Sequence, residues 1–471
     1  MTTVNYTGRD YTSRYEALLA QYRTLVPELT DLNHSNAGIV LIRLLASESD
    51  FLSYYIDWVF NSGYIETAPF KQSLINIGKA LDTLPKLASA SRVPIIATRI
   101  PGVEGEISIP KYSRFERLDG VAYLTDTDTI IPADEDFAII FVTQGDLVNL
   151  TLSIDDFASF DHSKKLRYNL GANVAAYTSV VTDTLLNAEW TEVDSFYRTT
   201  ANDTHYLLEL YAQPYNGAID TVFLTLCKRE DDLDLPTEFD VKFIRTSGAN
   251  GNTGTGTIVV CPSELDSTIT VTNSVAATGG GSVETVDDLR WRIPAVARTQ
   301  RRAVTNLDYK ALITGISGVK YCEATDRNAS STWPHLHQVL YVVAEGGGVM
   351  SVPLRQTIMN ECCAWGHLGN WPGRYILLDA EQIPVSVSAR IGVESGYEAN
   401  AVFTAIRTAL QEHYNISNTD FFKQWNFSEL HHVISSVQGV SWVEFNSPVA
   451  TVNADIGEIL ILGTVTLTQG S

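Results

Sequence analysis

The stretch Tyr309–Glu323, YKALITGISGVKYCE, returns 121 residues later as Leu430–Glu444, LHHVISSVQGVSWVE. Tyr309, Leu312, Ile313, Ile316, Gly318, Val319 and Glu323 stand opposite Leu430, Val433, Ile434, Val437, Gly439, Val440 and Glu444. Apolar residues three and four apart predict one face of a short helix. The glycine predicts a left-handed helix end that releases the chain into a strand. Val339–Tyr341 then falls opposite Leu460–Leu462, a further strand in each copy. Gly318, Val319, Gly439 and Val440 are therefore the expected structural turns. Two related α+β modules are expected, over residues 283–382 and 383–471.

Upstream of the repeat the texture changes twice. Residues 1–90 read as helical. Tyr15, Leu18, Leu19, Tyr22 and Val26 recur at helical spacing, and Pro27 closes that helix. A second helix is expected from Asn36 to Phe60, with Leu41, Leu44, Leu45, Phe51, Leu52, Tyr55 and Val59 on one face. Its other face carries Ile39, Ile42, Ala46, Ile56 and Phe60. A surface helix needs one apolar stripe of about 100°. This one has nearly two, so it calls for cover on both sides, by its own chain or by a partner helix. A third helix, about Phe70 to Leu81, ends at the Asp82–Pro85 breaker.

Residues 91–282 are short alternating runs rich in Thr, Val, Ile, Tyr and Phe, as in Val93–Ile100, Phe137–Thr143 and Leu147–Ile154. They predict a β-rich, sandwich-like domain with room for an insertion at 160–240. The fold class is thus α+β multidomain: N-terminal helices, a central β-rich sandwich-like domain, and two related C-terminal α+β modules. Its 471 residues would nominally make about three domains; the texture divides them into four segments.

Composition narrows the function classes. The hydrophobic fraction of 45% and charged fraction of 19% are those of a folded chain. A formal charge of −22 disfavours phosphate backbones and anionic lipid, so neither nucleic acid nor membrane is an expected partner. Five cysteines are too few and too scattered for a disulfide scaffold. Met1–Asp10 is polar and reads as no signal peptide. The most apolar stretch, Gly38–Phe60, is interrupted by Arg43, Glu48, Asp50 and Asp57.

Charge is also segregated. From Asp119 to Asp161 stand ten acidic residues and no Lys or Arg. Between Leu289 and Leu307 stand five arginines (290, 292, 298, 301 and 302) and no acid. Arginine suits carboxylate contacts at protein interfaces. Arg298, Arg301 and Arg302 are accordingly the expected subunit contact.

Catalytic and ligand motifs are not found. The glycine-rich Gly251–Thr257 has Walker-like spacing but no lysine, and a strand rather than a helix is expected after it. Asp126 and Asp128 resemble the start of a calcium loop, yet Ile130 and Pro132 occupy positions that need a ligand and a glycine. His335 with His337, Cys362 and Cys363 with His367, and His431 with His432 are the candidate metal ligands. None has the spacing of a complete site. No catalytic residue, metal or cofactor is assigned. Acidic pairs such as Asp155 and Asp156 are numerous, but nothing selects one pair as the carboxylates of a glycosidase.

With these residues in view, the chain resembles the baseplate J-like family, inner wedge proteins of contractile phage tails. The stretch Gly279–Gly318, GGGSVETVDDLRWRIPAVARTQRRAVTNLDYKALITGISG, is similar to the family signature. Asn36–Gly38, Tyr64–Pro69, Ser73–Pro85, Ile109–Phe115 (IPKYSRF), Gly439-Val440 and Gly457-Glu458 with Leu462–Val465 resemble further family features. The resemblance is weakest over residues 150–240.

The resemblance implies a non-enzymatic structural subunit in the virion, made in the bacterial host cytoplasm. N-terminal helices of two copies would bundle with a helix of another wedge protein. C-terminal modules would pair between copies, the second serving dimerisation and the ring. About twelve copies, two per wedge, would close a ring around the hub and rearrange on contraction. Sheath-initiator-like and hub proteins are further implied partners. Leu41, Leu45, Leu52, Tyr55 and Val59 are the expected bundle seam. The alternative from the same texture is a tail-associated glycan hydrolase or receptor-binding protein.

Overall fold

The computed structural model describes residues 4–28, 32–33, 35–160, 165–184, 187–196, 199–200, 203–212, 220–229, 236–325, 337–415, 421 and 424–470. They fall into two compact units. The first holds the chain up to Pro85 together with Leu210–Asp220 and Thr285–Ile293, and the second holds the remainder.

In the first unit, helix α1 (Tyr11–Leu25) starts where Asp10 accepts from Ser13 N and the Ser13 hydroxyl accepts from Asp10 N. That reciprocal box satisfies two helix-end donors. Helix α2 (Ala37–Ser62) is capped by the Asn36 side chain, which accepts from Gly38 N at 2.9 Å. Helix α3 (Lys71–Ala80) needs Gly78, because a Cβ there would lie 2.7 Å from Thr83 O and 3.3 Å from Ile293. Lys71 pairs with Asp220, and Gln72 Oε1 accepts from Ala212 N at 2.8 Å. Arg292 donates to Leu84 O at 2.6 Å and Arg290 to Ala68 O at 2.9 Å. Two of the five clustered arginines therefore hold this unit together.

The second unit opens with a six-stranded antiparallel sheet. Its strands are β1 (Arg92–Arg99), β2 (Arg114–Arg117), β3 (Ala122–Thr125), β4 (Phe137–Gln144), β5 (Ile258–Val260) and β6 (Ile269–Asn273), in the order β5-β2-β3-β4-β1-β6. Alternation sends Val93, Ile95, Ala97, Ile140 and Val142 into a core with Phe115, Tyr123 and Ile258. Between β4 and β5 the chain builds a four-stranded and a five-stranded sheet of its own. Asp146–Ser153 pairs with Glu238–Arg245 across that excursion, Arg245 opposite Asp146. The inserted sheets thus span 146–245, wider than the 160–240 read from texture, because that pairing brings distant ends together.

Helices α4 (Val286–Thr299), α5 (Asn306–Thr314), α6 (Val352–Trp365), α7 (Ala399–His413) and α8 (Phe427–Ser435) follow, interleaved with six strands. These are β7 (Val319–Thr325), β8 (Gln338–Ala344), β9 (Tyr375–Asp379), β10 (Glu381–Val393), β11 (Val440–Ser447) and β12 (Glu458–Gln469). The chain is thus α+β and multidomain, helices first and a β-rich region next. The repeat appears as α5–β7 and α8–β11; each helix ends in a right-handed cap (Gly315, Ser436), and the left-handed glycine comes three residues later, directly before the strand.

The two sheets are wired differently. In β7-β8-β9, strand β8 is central and forms a hairpin with β7. In β11-β10-β12, strand β10 is central, antiparallel to β11 and parallel to β12. The sequence-equivalent strands β8 and β12 therefore occupy a centre and an edge. In the second module β10 precedes the helices and takes the middle place.

Candidate assembly surfaces

Helix α2 buries one face and leaves the other open. Ile39, Ile42 and Ala46 are buried as expected, whereas Ile56 and Phe60 on the same predicted face are exposed. The face turns polar there, because Ser53, Asp57 and Asn61 take up its second half. Asp57 accepts from Tyr6 N, Thr7 N and the Thr7 hydroxyl at 2.8–3.0 Å. Asn61 accepts from Val4 N at 3.1 Å and donates to Val4 O at 2.8 Å. The N-terminal segment thus lies where an apolar neighbour was expected. Two short polar residues four apart in an apolar helix were the available signal.

Leu41, Leu45, Leu52, Tyr55 and Val59 are between 57% and 63% exposed. Leu44 and Phe51 are exposed beside them. Helix α1 packs on α2 yet contains no fully buried residue. A contiguous apolar stripe this long is far more than scattered surface leucines.

The remaining arginines diverge. Arg298 and Arg302 are exposed, Arg302 donating to the Gln300 amide oxygen at 3.0 Å. Arg301 turns inward, 3.7 Å from Asp194 and over the Trp365 ring. It does so from a left-handed backbone (φ 53°), as does Gln300 before it (φ 50°). In the acidic tract Asp119 pairs with Arg117 and Asp146 with Arg114. The Arg117 guanidinium holds the Asp119 carboxyl down at about 2.

Gly318 and Gly439 have φ 93° and 92° at the two repeat turns. Val319 is fully buried and Val440 half-buried. The glycine-rich Gly251–Thr257 does precede a strand, β5. Its Gly251 carbonyl accepts from the Ser91 and Tyr123 hydroxyls at 2.6 and 2.7 Å. A Cβ on Gly280 would sit 2.5 Å from Gly248 O, so these glycines allow two loops to cross closely.

Among the described residues no group of three His, Cys, Asp or Glu side chains could hold a metal, and His335 lies outside them. His367 Nδ1 is 3.0 Å from the Tyr309 hydroxyl, and burial pushes the Cys362 thiol up to about 12. All five cysteines are free thiols. No helix among the described residues is long and apolar enough to cross a membrane.

Comparison with known proteins bears on both ends of this arrangement. Residues 385–468, covering β10 to β12, match the Baseplate J-like protein C-terminal domain. The second module thus resembles that C-terminal domain over nearly its whole length. Residues 10–80, covering α1 to α3, match the bacteriophage baseplate protein N-terminal domain. The resemblance to the baseplate J-like family therefore holds, and the role these domains support is that of a structural component of a phage tail baseplate in the virion.

Two solved structures are similar over long stretches. A chain of the anti-feeding prophage baseplate is 13% identical, covering 99% of this chain and 95% of that one, with a TM-score of 0.32. A chain of the type VI secretion TssK-TssF-TssG baseplate subcomplex is 8% identical, covering 72% and 96%, with a TM-score of 0.28. Both TM-scores are too low for either likeness to bear on mechanism. No curated protein matches the sequence.

Proposed function

We propose that this chain is a non-enzymatic subunit of a contractile-tail baseplate wedge. It pairs with itself and with another wedge protein, two copies per wedge and about twelve per ring. The ring surrounds the hub, meets sheath-initiator-like proteins and rearranges on contraction. The chain is made in the host cytoplasm before assembly into the tail.

The observation that carries this reading is the bare stripe of α2. Leu41, Leu45, Leu52, Tyr55 and Val59 lie on a helix matched to a baseplate N-terminal domain and find no cover among the described residues. Burial of each against partner helices would contribute roughly 1.5–3 kcal/mol. Arg298 and Arg302 supply a second, weaker contact of under about 1 kcal/mol per exposed pair. Arg301 joins them only by releasing Asp194.

Replacing Leu45 and Leu52 together by Asp should abolish co-purification with the second wedge protein while leaving circular dichroism and melting unchanged. Undiminished co-purification of a folded double variant removes the seam. In the same assay, reversing Arg298 and Arg302 to Glu should weaken self-association and make it less salt-sensitive. Melting that collapses with assembly intact assigns these arginines to the fold instead.

A further inference from the structure

A groove that the wedge reading leaves unused is lined mainly by the second module, with Gly346 and Gln382 of the first completing it. It encloses about 420 Å³ between α7 and the middle of β12. Arg407 and Gln411, one turn apart on α7, line one side together with Tyr414, which caps the end of that helix. Leu462 and Gly463 of β12 line the other.

Three features of this groove are unfinished among the described residues. Tyr414 is only 4% exposed, and its hydroxyl has no hydrogen-bond partner among the described residues. Its ring is fixed against Trp425, with centroids 4.0 Å apart. A buried hydroxyl without a partner is unfavourable and calls for an explanation. Arg407 is exposed and forms no ion pair among the described residues, in a chain whose formal charge is −22.

The strand is irregular at the same place. Val385 faces Leu462 and Val387 faces Val465, so Ser386 alone opposes both Gly463 and Thr464. That bulge takes backbone groups out of the ladder beside the cavity. Strand β12 is also the edge of its sheet, with no charged side chain from Ile459 to Gln469.

The chemistry follows from the donors. A guanidinium, an amide and a hydroxyl ask for acceptors, and an edge strand asks for another extended backbone. Seven helical residues separate Arg407 from Tyr414 by about 10 Å along the axis. An extended chain covers that distance in about three residues. A single small anion could reach one end of the groove but not both.

We propose that this groove binds an extended acidic peptide segment of a partner protein. The segment lies along the β12 edge with a carboxylate on Arg407 and Gln411. A backbone carbonyl about three residues away accepts the Tyr414 hydroxyl proton. The proposal is independent of the α2 seam and survives or fails without it.

Fluorescence anisotropy on the full chain tests this with a blocked, labelled hexapeptide of alternating Thr and Val carrying one Asp. Saturable binding is expected, weakened about tenfold or more by Asn in place of that Asp or by Arg407→Gln. Tyr414→Phe should weaken binding severalfold yet raise the melting temperature of the free protein, since it deletes a buried hydroxyl with no partner. Equal binding of the Asp and Asn peptides, or no saturable binding below about millimolar peptide, overturns the proposal. A lowered melting temperature for Tyr414→Phe overturns it too, by showing that the fold itself uses the hydroxyl. Displacement by sodium acetate as effective as by unlabelled peptide replaces the peptide with a small carboxylate ligand.

Discussion

The two copies of the repeat share a local code and meet different surroundings. In the first, Val319, Cys322, Ala324 and Thr325 of β7 are buried. In the second, no residue of β11 is fully buried, and Trp442 stands 40% exposed. Both strands are sheet edges. The first is flanked by its own chain, Lys86 donating to Val319 O at 3.0 Å and Glu345 N to Gly318 O at 2.9 Å. The second has the equivalent bond from Glu394 N to Gly439 O at 2.9 Å, while Trp442 of β11 lies across Gly392 and Gly470. A repeated helix–glycine–strand unit thus sets conformation without setting burial.

The helices should be where the copies agree. Ile313 and Ile434 are repeat-equivalent and both buried. Truncating either to Ala should cost about 3 kcal/mol in denaturant unfolding, within about 1 kcal/mol of each other. A loss below about 1 kcal/mol at one site breaks the equivalence of the two helix faces.

The turns should separate them. A Cβ on Gly439 would lie 2.8 Å from the Tyr397 ring, whereas on Gly318 its nearest neighbour is a Leu354 methyl at 3.4 Å. Both positive φ values disfavour a side chain, so Gly318→Ala should cost about 1 kcal/mol. Gly439→Ala should cost about 1 kcal/mol more, because an aromatic ring must move. Equal losses would show that backbone conformation, rather than packing, decides both.

The strands should show the smallest losses. Val319→Ala removes two buried methyl groups and should cost about 1.5 kcal/mol. Val440→Ala, at a half-buried site, should cost under about 1 kcal/mol. A larger loss at Val440 in the assembled ring than in the free chain would mark β11 as an interface strand.

Much of the fold was legible. The helix read from Asn36 to Phe60 is Ala37–Ser62, and both repeat glycines occupy left-handed turns. These features depend on neighbours within one or two turns, which sequence spacing encodes directly. On the second face of α2 Ile56 and Phe60 stay exposed in the single chain, while Asp57 and Asn61 bind a segment fifty residues away. The arginine run read as one patch, yet Arg290 and Arg292 grip backbone carbonyls of Ala68 and Leu84 while Arg301 meets Asp194. The groove at Tyr414 had no sequence signal, since its walls are a helix and a strand nearly fifty residues apart.

The sequence by itself determined the order of textures, the helix faces, the repeat and its glycine turns, because each follows from periodicity and backbone sterics among near neighbours. Only the tertiary structure decided which apolar face stays bare, which arginines point outward and which repeat strand lies open. Burial and pairing depend on residues far apart in the chain, and local propensity carries no record of them.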